Sequence, residues 1–141
     1  KMGQAAIFET RGNQDCHVIL RGGKQPNYQK ADVDAACAML QAAGLRPQVM
    51  IDVSHANSSK QHQRQITVAA EVAEQIAAGD ARITGLMIES HLQEGRQDIV
   101  PGQPLQHGVS VTDACISLAQ TLPVLEGLAA AVRARRQKLA A

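Results

Sequence analysis

The stretch QVMIDVSHANSSK, Gln48–Lys60, decides the fold. Val49, Met50, Ile51 and Val53 crowd around a single acid, Asp52, without the strict polar alternation of a strand that is wet on one face. A short continuous apolar run reads as a strand buried on both faces, and such strands belong to parallel sheets covered by helices. The run ends in Asp52, Ser54 and His55, and ANSSK turns the chain toward a helix.

The same grammar extends in both directions. Upstream, HVILRGG (His17–Gly23) is a second apolar run closed by two glycines, followed by a loop holding Pro26 and Asn27. Ala31–Ala43 has Val33, Ala36, Cys37 and Leu40 at helical spacing, with Gly44 as its stop. The segment Ala5–Thr10 alternates weakly before Gly12 and Asn13, a turn signal, and reads as a hairpin-like lead-in. Downstream, Lys60–Ala78 places Val68, Val72 and Ile76 on one helical face, and Arg82–Ser90 is a third strand. A breaker-rich loop, Gln93–His107, precedes a short fourth strand at Gly108–Thr112 and a helical turn at Asp113–Leu118. Thr121 then caps a last helix whose Leu125, Leu128 and Val132 face inward. Strand followed by helix, about four times over, means a parallel sheet with right-handed crossovers.

Composition narrows the function. Of 141 residues, 45% are hydrophobic, 19% are charged and the net charge is +1, too balanced for a nucleic-acid footprint. Phe8 and Tyr28 are the only aromatics, which removes base-stacking platforms. The arginines near the end, Arg133, Arg135 and Arg136, suit the negative end of a helix dipole. No apolar run approaches the roughly 18 residues of a membrane span. Cys16, Cys37 and Cys115 form no CxxC pair or disulfide framework; they read as buried small hydrophobes in a reducing, cytoplasmic setting.

Ligands of parallel α/β folds gather at the carboxyl ends of strands. There the chain offers Arg21, Asp52, Ser54, His55, Glu89, Ser90, His91 and Asp113. One imidazole (His55) and two carboxylates (Glu89, Asp113) suit a divalent ion of the Mn, Fe or Zn kind. Their separations, 34 and 24 residues, carry no local signature, so ordinary strand-end hydrogen bonding is the competing reading. Arg21 beside Gly22 and Gly23 reads either as an anion clamp or as an ion pair with a neighbouring strand's acid. His91 reads as a neighbour of the site, and His62 and His107 as solvent-exposed.

The runs DCHVILRGGKQPNY, QVMIDVSHANSSKQ, GLMIESHLQEG and VTDACI, in this order, resemble the C-terminal half of class I 3-deoxy-D-arabino-heptulosonate 7-phosphate (DAHP) synthase. The resemblance extends from Lys1 to about Arg136. It implies a (β/α)8 barrel and condensation of phosphoenolpyruvate with erythrose 4-phosphate at the entry to the shikimate pathway. It further implies a divalent metal on His55, Glu89, Asp113 and a cysteine, with Arg21 gripping phosphoenolpyruvate. Cys115 occupies a non-ligand position of the pattern, so the cysteine ligand is expected upstream.

A complete barrel takes about 250 residues. The whole chain, residues 1–141, is therefore expected to be the C-terminal part of one, cut from something longer and inactive alone. Half a barrel has two raw sheet edges, which predicts self-association or completion by another chain. Two other readings stay open: the related eight-carbon sugar-phosphate synthase, and a non-catalytic module with residual metal or anion binding.

Overall fold

The computed structural model describes residue 3, residues 5–13 and residues 15–140. Five strands and three helices follow one another as β1 (Val18–Leu20), α1 (Lys30–Ala42), β2 (Val49–Asp52), α2 (Arg64–Ala77), β3 (Ile83–Met87), β4 (Ser90–His91), β5 (Ile116–Ser117) and α3 (Leu118–Leu139). Strands β1, β2 and β3 form a parallel sheet in that order, and β4 and β5 form a second, two-stranded parallel sheet. The fold is thus mixed α/β with parallel strands, as the apolar runs require.

The core lies where those runs meet the helices. Val49, Ile51 and Val53 are fully buried against Val33 and Cys37 of α1 and Val68, Val72 and Ile76 of α2. Gly44 ends α1 with φ +73°, a conformation that costs a residue with a Cβ about 1–2 kcal/mol. At the amino ends of the strands, Arg82 bridges Asp34 and Asp80 at 2.6 Å each. Its guanidinium holds the Asp80 carboxyl below the usual carboxylate range, and Lys30 together with Arg82 does the same for Asp34. Arg135 of α3 donates to the carbonyls of Asp80 and Ile83, so this cation fastens the helix to the entry of β3. Ion pairs tie this end of the sheet together, and the polar strand-end residues lie at the opposite end.

Several local expectations are corrected. No strand forms among the described residues before Val18, and Ile7 and Phe8 there are exposed. A two-stranded hairpin without a face to bury is marginal in water. The last strand is Ile116–Ser117, not Gly108–Thr112, which contributes only an isolated bridge between Ser110 and Arg96. Asp113–Leu118 is accordingly not a helical turn. The loop expected after the third strand is present, but without a helix there three strand–helix units form among the described residues, not four. That loop is ordered by Gln97, whose side chain binds the backbone of Gln106 and Val109.

The cap of α3 is Ser117, not Thr121. Ser117 Oγ accepts from the Gln120 amide at 3.2 Å, and Gln120 Oε1 accepts from the Ser117 amide at 2.7 Å, a reciprocal capping box. The buried face of α3 runs along Thr121, Val124, Leu128 and Ala131 with Val132 beside it, leaving Leu125 half exposed. Cys37 and Cys115 are buried, whereas Cys16 is exposed.

Candidate metal centre

The site is assembled from strand ends. Asp52 is the last residue of β2 and only 1% exposed. Burying a carboxylate is expensive unless its oxygens are bonded. Here Oδ1 accepts from the Ser54 amide at 2.8 Å, and Oδ2 lies 2.7 Å from His55 Nδ1. An ionised carboxylate can only accept, so the pairing places the imidazole proton on Nδ1 and leaves the Nε2 lone pair free. His55 adopts φ +44°, and its carbonyl is fixed by the Lys60 amide at 2.8 Å and by Ser58 Oγ at 3.2 Å. The ring therefore leaves the strand at an angle that an extended backbone would not give.

Glu89 approaches from the segment between β3 and β4. Ser54 Oγ donates to Glu89 Oε2 at 2.7 Å, while Oε1 lies 3.6 Å from His55 Nε2. Asp113, exposed, comes from the turn before β5. One ligand atom from each of His55, Glu89 and Asp113 lies within 4.8 Å of the others. Donors about 2.1 Å from one ion in tetrahedral geometry stand about 3.4 Å apart, so the groups close on an ion by about 1.4 Å at most. One nitrogen and two carboxylate oxygens form a donor set for a borderline divalent cation, so the residues fit a metal.

Arg21 follows β1 directly, with its Nε 3.8 Å from Asp52 Oδ2 and its side chain 62% exposed. The ion-pair reading is the one observed: the guanidinium faces a neighbouring strand's acid, and it remains open toward solvent. Beneath it, Asn57 is wholly buried and acts as a clasp between strands. Its Nδ2 donates to the carbonyls of Leu20 (3.0 Å) and Asp52 (2.7 Å), and its Oδ1 accepts from the Asn27 amide at 2.8 Å. Asn27 Oδ1 in turn accepts from the Gly22 amide at 2.6 Å. Sequence reasoning missed Asn57, because an asparagine within ANSSK looks like any solvated turn residue; only its burial reveals the role.

Gly22 lets this clasp close. It has φ +75°, and a Cβ there would stand 2.8 Å from Ala56 Cβ and 3.0 Å from Asn57 N. Gly22→Ala is expected to cost about 2 kcal/mol or more, combining left-handed strain with the clash. Urea unfolding checks it; a midpoint equal to the parent's would contradict the packing.

The other candidates lie apart. Cys115 is buried, its thiol donates to the Asp113 carbonyl at 3.5 Å, and burial pushes the thiol up, against the thiolate a metal needs. His91 Nδ1 bonds the Gly108 carbonyl. His62 is partly buried rather than solvated, 2.9 Å from Glu94. His107 is exposed, as expected.

The chain is similar to known proteins along nearly its whole length. The family described as "DAHP synthetase I family" matches residues 1–126. The Phe-sensitive phospho-2-dehydro-3-deoxyheptonate aldolase of Escherichia coli K12 is 54% identical over 136 residues, covering 96% of this chain and 39% of that protein. The tyrosine-inhibited phospho-2-dehydro-3-deoxyheptonate aldolase of Schizosaccharomyces pombe is 56% identical over 142 residues, covering 97% and 38%. A solved phospho-2-dehydro-3-deoxyheptonate aldolase from Francisella tularensis superposes with a TM-score of 0.86 at 50% identity, covering 92% of this chain and 38% of that one. The chain thus spans about two fifths of the length of these relatives. With a family match over most of its residues, and relatives above 50% identity along nearly all of it, the chain belongs to the DAHP synthetase I family.

Proposed function

We propose that this chain supplies the metal-binding part of a DAHP synthase, a transferase that condenses phosphoenolpyruvate with erythrose 4-phosphate and releases phosphate. The observation that carries the reading is the convergence of His55, Glu89 and Asp113, three groups remote in sequence, at the carboxyl end of a parallel sheet. On this reading the strands are the C-terminal portion of a (β/α)8 barrel. The rest of the barrel, from the same polypeptide or another copy, covers Val18 and Ile19 of β1, which are 41% and 46% exposed. It also contributes a cysteine ligand and further anion-binding groups. No helix among the described residues is long and apolar enough to cross a membrane.

Each residue has a distinct task. His55 presents the Nε2 lone pair, kept free by the Asp52 hydrogen bond. Glu89 and Asp113 offset the charge of the cation they hold. A divalent ion bound there supplies Lewis-acid polarisation of the aldehyde oxygen. Arg21 binds the anionic groups of phosphoenolpyruvate and fixes their position, with its exposed guanidinium tethered beside Asp52.

The test is a condensation assay with manganese. The complete barrel is expected to consume phosphoenolpyruvate and erythrose 4-phosphate together, and to stop when a chelator is added. This chain alone is expected to bind manganese weakly and to turn nothing over. Preference for arabinose 5-phosphate would assign the protein to the eight-carbon sugar-phosphate synthases instead. Turnover indifferent to chelation would overturn the metal reading.

A further inference from the structure

We infer that Gln65 positions Glu89 for the metal centre by standing in for a strand neighbour where the sheet breaks; this rests on the reading of His55, Glu89 and Asp113 as metal ligands. Strand β3 ends with Met87 paired to Asp52, and β4 begins at Ser90 paired to Ile116. Ile88 and Glu89 fall between the two ladders. A backbone amide left there without a partner costs as much as a lost buried hydrogen bond.

Gln65 fills the gap. It belongs to the first turn of α2 and is 1% exposed. Its Oε1 accepts from the Glu89 amide at 2.8 Å, and its Nε2 donates to the Glu89 carbonyl at 3.1 Å. Exchanging a donor and an acceptor with one backbone residue is what a strand partner does. The same carbonyl accepts from the Ile116 amide at 3.0 Å, which ties the break to β5. Glu89 is thus held at both ends of its peptide frame, and Ser54 fixes one carboxylate oxygen. The remaining oxygen faces His55 Nε2.

The position of Gln65 on its helix points the same way. Gln65, Val68, Ala69, Val72 and Ile76 form the buried stripe of α2. Gln65 is the one polar member of that stripe. A polar side chain in a core position breaks the binary pattern, and such breaks concentrate at functional sites. Its carboxamide spends both functions on one residue, and that residue carries a ligand.

The experiment compares manganese affinity with thermal stability in the intact protein. Gln65→Met keeps length and flexibility but removes both hydrogen bonds. It is expected to weaken manganese binding roughly 10-fold, the lower range for loss of a group that orients a ligand. Val72→Ala, a core substitution on the same helix, serves as the stability control and is expected to lower Tm while leaving manganese affinity unchanged. If Gln65→Met fails to fold, Gln65→Asn replaces it: the shortened amide no longer reaches Glu89, and the same weakening is expected. Parental affinity in the Gln65 variant, or an equal loss in Val72→Ala, would overturn the positioning role. Glu89→Ala separates the two levels: if that change leaves manganese binding intact, the metal reading itself has failed.

Discussion

His55→Ala is expected to lower manganese affinity by at least about 100-fold, beyond the roughly 10–100-fold that loss of an orienting partner costs. Two effects combine. The variant loses the only nitrogen donor of the cluster, leaving two carboxylates of which Asp113 is exposed and free to turn away. It also leaves Asp52 Oδ2 inside the protein without its 2.7 Å partner, with only the Arg21 Nε at 3.8 Å nearby. An uncompensated buried charge is destabilising, so the unfolding midpoint should fall as well. Calorimetric titration with manganese measures the first effect and circular dichroism melting the second. Parental affinity in a folded His55→Ala protein would show that the imidazole is not a ligand.

Asp52→Asn is the second large expectation. The substitution changes one atom and nearly preserves shape, so its effect isolates proton placement. Asp52 accepts twice, from the Ser54 amide and from His55 Nδ1. An asparagine has one acceptor oxygen and one donor amide. If its oxygen stays with Ser54, its amide faces Nδ1 and forces the proton onto Nε2, where it blocks the metal. If its oxygen turns to His55, the Ser54 amide confronts a second donor and loses its bond. Either way manganese affinity should drop about 10–100-fold. Anion affinity at Arg21 should change too, because the nearby negative charge is gone. A change confined to Tm, with manganese binding untouched, would reduce Asp52 to a structural acid.

The parts of the fold legible in the sequence are those governed by local apolar pattern. Val49–Asp52 is a buried strand and Ile83–Met87 a partly buried one because their neighbours in the chain are themselves apolar, and α2 shows its buried stripe at Val68, Val72 and Ile76. What escaped depends on partners distant in sequence. Ile116–Ser117 becomes a strand because Ser90–His91 offers it a ladder, which the short VTDACIS stretch does not announce. Leu125 turns outward because α3 packs on α2 along Thr121, Val124, Leu128 and Ala131, and that partner, not the apolar pattern of α3 alone, decides which leucine is covered. At the site, residue types at strand ends pointed to His55, Glu89, Asp113 and Arg21. The groups that aim them, Asn57 and Gln65, looked like a polar turn and a helix start. Their roles lie in hydrogen bonds to Leu20, Asp52 and Glu89 that span up to 37 residues.

The most direct test is anomalous diffraction above the manganese edge, on crystals of the intact protein grown with manganese. The account predicts a single strong peak within about 2.2 Å of His55 Nε2 and of one carboxylate oxygen each from Glu89 and Asp113. A peak at another acid–imidazole pair, such as His62 and Glu94, with none between these three residues, would contradict it.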